Sequence, residues 1–147
     1  MSHVRQQIRE AVRDTLTGLP TCGSRVYLSR SVPVDDGAMP CMCVYVKSES
    51  STAGTLRGRR NHADLVIDAW AAGATFDAVA DLVQAEAEAA LFGTSDAGRY
   101  LGGAVLDIEH TGCDSQYIGN AEKPYGVRRE EYRVLYITED GNAQEAK

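Results

Sequence analysis

No stretch of this chain approaches the roughly 20 consecutive apolar residues that cross a bilayer, so no membrane-spanning helix is expected. The opening Met-Ser-His-Val-Arg-Gln-Gln-Ile lacks the continuous apolar core of a signal peptide, and the chain is expected to stay in the cytosol where it is made. Cysteine is sparse. Cys22, Cys41, Cys43 and Cys113 lie far apart, apart from two that point to the same side of one strand, a poor geometry for a mutual disulfide; all four are expected as reduced thiols.

Catalytic vocabulary is missing as well. The three histidines, His3, His62 and His110, share no motif, and Cys41-Met-Cys43 with distant Cys22 and Cys113 matches no usual zinc spacing. There is no Gly-rich phosphate loop, nucleophile elbow or Ser/His/Asp pattern. No metal, no cofactor and no catalytic residue are therefore expected. Asp64, Asp68, Asp107 and Glu109 alternate on predicted strands; they would form a carboxylate site if they converged, and otherwise mark sheet edges facing solvent or a neighbour. The lone Trp70 reads either as core or as an interface anchor.

What is present is a chain of one-domain size with a lopsided charge. At 147 residues it should bury about two-thirds of its unfolded surface, enough for a core without staples. Fifteen basic and 21 acidic residues leave a net charge of −6, which argues against gripping nucleic acid over the whole surface. Arg57, Arg59 and Arg60 crowd one stretch, while residues 77–88 hold Asp77, Asp81, Glu86 and Glu88 and no base. Such complementary patches suit docking between identical subunits, or they are solvated charge that keeps the protein soluble.

Periodicity orders the elements. Ser2 is positioned to cap a helix on which Val4, Ile8, Ala11, Val12, Leu16 and Leu19 share a face, with Pro20 ending it. Strands follow over residues 25–30, with Val26 and Leu28 inward, and over 41–47, apolar on both faces; a polar loop spans 48–60 and a third strand 63–71. Gly73 breaks that strand, Thr75 is a candidate cap, and Phe76, Val79, Ala80, Val83, Ala87, Ala90 and Leu91 define a long amphipathic helix closed by Gly93. After a loose segment over 94–103, a fourth strand from Ala104 pairs with the last one. Ile108 opposite Val134 would bring His110 to Tyr132, Leu106 to Tyr136 and Glu109 to Arg133. The fold class expected is α+β, a mainly antiparallel sheet of about five strands with two helices on one face, in the order α-β-β-β-α-β-β. Residues 1–138 form the domain; the polar tail 139–147 has no large apolar residue to anchor it and is expected to be disordered alone.

The last strand is unusual. In Gly126-Val-Arg-Arg-Glu-Glu-Tyr-Arg-Val-Leu-Tyr-Ile-Thr138 the second half is strand-like on both faces, but Arg128, Arg129, Glu130 and Glu131 send charge to both. That end is expected to project past the domain as a contact to a neighbour. With Arg57, Arg59 and Arg60 it makes the candidate interface, and reversing Arg128 and Arg129 to Glu should weaken assembly with the fold intact.

Gly23-Ser-Arg-Val-Tyr-Leu-Ser-Arg30, Met39-Pro-Cys-Met-Cys-Val-Tyr-Val46, Leu82-Val-Gln-Ala-Glu-Ala-Glu-Ala-Ala-Leu91 and the closing 126–138 segment together resemble the tail terminator (tail completion) proteins of long-tailed bacteriophages. Cys41 and Cys43 are no part of that pattern. The resemblance covers nearly the whole chain and implies a non-enzymatic virion protein of the tail/neck junction, assembled in the host cytoplasm. It implies a homo-oligomer, a hexameric ring, that caps the tail tube, contacts the tube protein and the head-tail connector protein, and lets DNA pass through its lumen without specific binding. Six copies at −6 each would repel phosphates if that charge lines the channel. The rival readings are another neck subunit, and a small-molecule-binding or enzymatic α+β domain built on the strand carboxylates.

Overall fold

The computed structural model describes residues 3–28, 39–53, 57–96, 99–118, 124–139, 141–142 and 146. In chain order the elements are α1 (Val4–Leu16), β1 (Val26–Tyr27), β2 (Cys41–Ala53), β3 (Gly58–Ala72), α2 (Phe76–Phe92), a 3-10 turn at Leu101–Gly103, β4 (Asp107–Ile118) and β5 (Tyr125–Glu139). The strands form one sheet in the order β1-β2-β3-β5-β4, antiparallel except for the short parallel pairing of β1 with β2. The expected α+β class and element order hold. So does the register of the last pair, in which Ile108 faces Val134, His110 faces Tyr132 and Glu109 faces Arg133.

The core lies between the helices and one sheet face. Val4, Ile8, Val12 and Leu16 recur every four residues and are fully buried; Val83, Ala87 and Leu91 make the matching stripe of α2. Both rest on Val44, Leu65, Ile67, Tyr132 and Val134 from the inner face. α1 ends sooner than its periodicity suggests, at Leu16, because the chain turns extended at Thr17 (ψ 131°) and Gly18 follows with a left-handed φ of 93°. Ser2 lies outside the described residues; the cap position is held by His3, whose Nδ1 accepts from the Arg5 amide at 3.0 Å. Thr75 flanks α2 without a side-chain capping bond.

β2 and β3 are longer than expected. The polar stretch 48–60 is strand on both sides, with Ser48 paired to Asp64 and Ala53 to Arg59. It carries no apolar alternation because the inner face here bonds to itself: Ser51 Oγ donates to Asn61 Oδ1 at 2.6 Å, and Asn61 Nδ2 donates to Thr138 Oγ1 at 3.1 Å. β5 flanks this hairpin to its end, with Gly58 paired to Glu139, while β4 stops at Asp107 opposite Leu135. The charged end of β5 does not project past the sheet: Arg128 and Glu130 sit between Ala69 and Ile67 of β3 and Ser115 and Cys113 of β4.

Among the described residues no helix covers the outer sheet face. Cys41, Cys43, Trp70 and Val127 form a small buried cluster there with Met39 and Tyr125, so the core reading of Trp70 holds. All four cysteines are unbridged. Val66, Leu135 and Ile137 also point to this face, between charged residues such as Asp64, Asp68, Arg129 and Arg133. At the C-terminal end β5 runs on to Glu139, whose carbonyl accepts from the Asn142 amide at 3.0 Å, and Ala146 rests against the main core.

Candidate functional site

Pleating divides the four consecutive charges of β5. Arg128 and Glu130 point to the helix-covered face, where they are 9% and 1% exposed, and Arg129 and Glu131 to the open face. Each finds a partner inside the subunit. Arg128 Nη1 is bonded to Asp81 on α2 and donates to Gln84 Oε1 at 3.3 Å, Nη2 stands 3.6 Å from Asp77, and Nε donates to Ser115 Oγ at 2.9 Å. Arg129 Nε donates to Asp68 Oδ1 at 3.1 Å, whose other oxygen accepts from Tyr45. Glu131 accepts from Lys47 Nζ at 3.1 Å.

Apart from Glu130 Oε1, these charges find their partners within the chain, contrary to the expectation of a projecting, unpartnered end. The acidic run of α2 is absorbed in the same way: Asp77 and Asp81 face Arg128, Glu86 accepts from the Thr21 amide and hydroxyl, and Glu88 lies 3.7 Å from His110.

The three arginines of the predicted loop separate. Arg57 occupies the hairpin turn with φ 67°, Arg60 is exposed on the outer face of β3, and Arg59 turns inward. With Arg5, Glu49 and Tyr136, Arg59 lines a polar cavity of about 260 Å3 between the start of α1 and the hairpin. Glu49 anchors it, pairing with Arg5 Nη1 at 3.1 Å and accepting from the Tyr136 hydroxyl. Burial, and then Glu49, push the Tyr136 phenol upward from its ordinary range.

The strand carboxylates do not converge. Asp64 and Asp68 lie on β3, where Ser48 Oγ donates to Asp64 at 2.7 Å; Glu109 and Asp107 lie on β4, and β5 with Arg133 and Arg129 runs between the two sets. Opposite charges alternate across the strands, which is how a solvated face stabilises itself.

A different cluster does converge. Nε2 of His110 is 2.9 Å from Glu130 Oε2 and 3.7 Å from Glu88 Oε1, bringing β4, β5 and α2 together. His110 reaches this face through the regular register that sets it opposite Tyr132, and Glu130 lies two residues before Tyr132 on the same face of β5. A register shift between His110 and Gly112 then places Cys113 opposite Glu130, so His110 and Cys113, three residues apart, share the inner face. Gly112 was the sequence signal for the placement of Cys113: a glycine within a strand marks a bulge, and a bulge changes which side chains share a face. Burial pushes the Glu130 carboxyl above its ordinary range, opposed by the bond to His110. Glu130 Oε1 and the Tyr132 hydroxyl, both buried, have no hydrogen-bond partner among the described residues.

These features define a small α+β domain with one helix-covered sheet face, one open charge-laddered face and a long β2–β3 hairpin flanked by β5. No helix among the described residues is long and apolar enough to cross a membrane. No protein-family profile and no curated protein matches the sequence. Among solved structures, the chain is similar to a component of a structure described as the virion of a native gene transfer agent (GTA) particle, at 22% identity over 90% of this chain and 92% of that one, with a TM-score of 0.48.

Proposed function

We propose that this chain is a non-enzymatic structural subunit of a phage-like virion, forming a ring that caps the tail tube, ends its polymerisation and joins it to the head connector. The resemblance of segments 23–30, 39–46, 82–91 and 126–138 to tail terminator proteins supports the reading, and the element order read from the apolar pattern is the one the fold has.

One observation carries it furthest. Closed rings need heterologous contacts, two different complementary patches on each subunit. The β2–β3 hairpin presents exposed Arg57 and Arg60 at its end, and the far edge of the sheet, β4, presents exposed Asp107, Glu109 and Asp114. Basic tip against a neighbour's acidic edge is such a pair. Arg129 and Glu131 on the open face extend the contact, whereas Arg128 and Glu130 act inside the subunit. Repeated at −6 per subunit, the ring encloses a channel that does not hold DNA.

Light scattering of the purified protein, with negative-stain images of it alone and mixed with tail tubes, tests the reading. A ring seated on tube ends is the expected result. A monomer that ignores tubes overturns it and favours a neck subunit or a binding domain outside the virion.

A further inference from the structure

Of the side-chain clusters in the described residues, one has the composition and spacing of a metal centre. Glu88, His110 and Glu130 each offer one ligand atom, and these atoms all lie within 4.8 Å of one another. Zinc bonds of 2.0–2.2 Å directed tetrahedrally place ligand atoms about 3.3 Å apart. The two measured separations from His110 Nε2, 2.9 and 3.7 Å, bracket that edge. We infer that Glu88, His110 and Glu130 form a binding site for a divalent transition-metal ion of the zinc class, which fastens α2 to the β4–β5 margin of the sheet.

Independent of that spacing is the state of Glu130. Its side chain is 2% exposed, yet only Oε2 is bonded, to His110, while Oε1 has no partner among the described residues. A buried carboxylate oxygen left in this way is costly, because the desolvation of a charged group is not repaid by a bond. The Tyr132 hydroxyl beside it is also buried and unpartnered, and its ring meets His110 edge-on at 5.1 Å. A cation over the carboxylate removes the need for a protein partner at Oε1. Burial raises the carboxyl of Glu130 and, together with Glu130 and Glu88, the phenol of Tyr132; a nearby dication would act against both shifts.

Donor chemistry selects the ion. Imidazole with two carboxylates suits zinc, cobalt, manganese or iron rather than magnesium, which demands an oxygen octahedron. Three protein ligands leave a fourth position for water. Cys113, opposite Glu130 on the inner face, stands next to the cluster on the same edge strand. Glu88 and His110 are about a third exposed, so the ion has a path in from solvent. His110 and Glu130 are fixed by the paired ladder of β4 and β5, and Glu88 by a helix whose opposite stripe is buried, so the site is largely preformed.

The test uses the full chain stripped with EDTA and titrated calorimetrically with zinc chloride, with cobalt(II) absorption as a second readout and magnesium chloride as the comparison. Expected are one zinc per chain, a tetrahedral cobalt spectrum and no response to magnesium at the same concentration. Glu88→Gln, a change at a partly exposed helix position, should weaken zinc by at least about tenfold while leaving the metal-free melting temperature unchanged. His110→Gln should weaken zinc likewise, and because His110 is the bonded partner of buried Glu130 it should also lower the metal-free melting temperature. Absence of binding at millimolar zinc overturns the site, as does zinc binding that neither variant weakens, which would direct the ion to the thiols of Cys41 and Cys43. The measurement needs no assembly partner, so its failure and the failure of the ring reading are separate results.

Discussion

Arg128 on the inner face of β5 is bonded to Asp81 on α2, 47 residues earlier in the chain. The arginine side chain is 11% exposed and the aspartate 70%, so the pair ties a helix to the sheet from the rim of the interior. Removing one partner of a buried pair leaves a charge uncompensated, at about 3–5 kcal/mol for full burial. Arg128→Glu, which sets a carboxylate among Asp77, Asp81 and Glu130, should destabilise by an amount near that range. The double reversal of Arg128 and Arg129 should then unfold the subunit rather than merely disassemble it. Adding Asp81→Arg to Arg128→Glu should recover part of the loss, read as a coupling in a urea-melt double-mutant cycle.

Gly126 faces the ring of Phe76 at the start of α2. A Cβ built there would come within 2.9 Å of the Phe76 ring, which is itself 3% exposed and cannot swing away. Gly126→Ala should cost about 1–3 kcal/mol through overpacking. In a Phe76→Leu background the same change should cost less, and calorimetric melting of the four proteins decides it.

Two buried tyrosines with contrasting hydroxyls make a paired test. Tyr132 has no partner for its hydroxyl among the described residues, while Tyr136 donates to Glu49. In metal-free protein Tyr132→Phe should be neutral or up to about 1 kcal/mol stabilising, and Tyr136→Phe should lose about 1–2 kcal/mol. Denaturant midpoints at neutral pH report both.

The raised carboxyl of Glu130 has a definite consequence for acid behaviour. Because the fold favours its protonated form, the stability it contributes is full below its ordinary value near 4.5 and is lost as pH rises through the higher folded value. His110 and Arg128 oppose this shift and Glu88 reinforces it, so the folded value reports all four groups. Glu130→Gln cannot ionise. In EDTA, its stability relative to the parent should therefore rise from the ordinary carboxylate range toward neutrality and then level off. Urea melts across that interval check it, and a difference independent of pH would contradict the assignment.

The hairpin tip can be tested apart from the fold. Arg57 and Arg60 are exposed, and surface substitutions away from special features usually change stability by no more than about 0.5 kcal/mol. Arg57→Glu with Arg60→Glu should leave circular dichroism and melting unaltered while lowering the assembly mass seen by light scattering. Asp107→Lys with Glu109→Lys in the same chain should restore it.

Much of the architecture is readable from local pattern. The i, i+4 stripes of α1 and α2 and the Ile108/Val134 register follow from apolar spacing, because those residues must reach one core. The long hairpin is not readable, since the Ser, Asn and Thr residues that build it satisfy one another across strands and leave no apolar alternation. The fate of Arg128 and Glu130 is hidden for a related reason. Four consecutive charges tell which faces they occupy, but not that Asp81 and His110 wait on one of them. The Glu88, His110 and Glu130 cluster needs in addition the placement of α2 over the β4–β5 margin, because Glu88 comes from a helix whose apolar stripe does not tell which strands it covers.

The open face has one further consequence, for the range over which it can be felt. Across β3, β5 and β4 one row runs Asp64, Arg133, Glu109 and another Asp68, Arg129, Asp114, so the sign of charge reverses at each strand. Strands are about 4.8 Å apart, shorter than the Debye length of about 8 Å at physiological salt. Each row still holds two acids to one base, so each keeps a net negative charge, while the alternating part of the field fades within about one strand spacing of the surface. An approaching partner is therefore drawn by the sign of its charge at a distance and sorted by alignment only at contact, where its own charges must be offset by one strand.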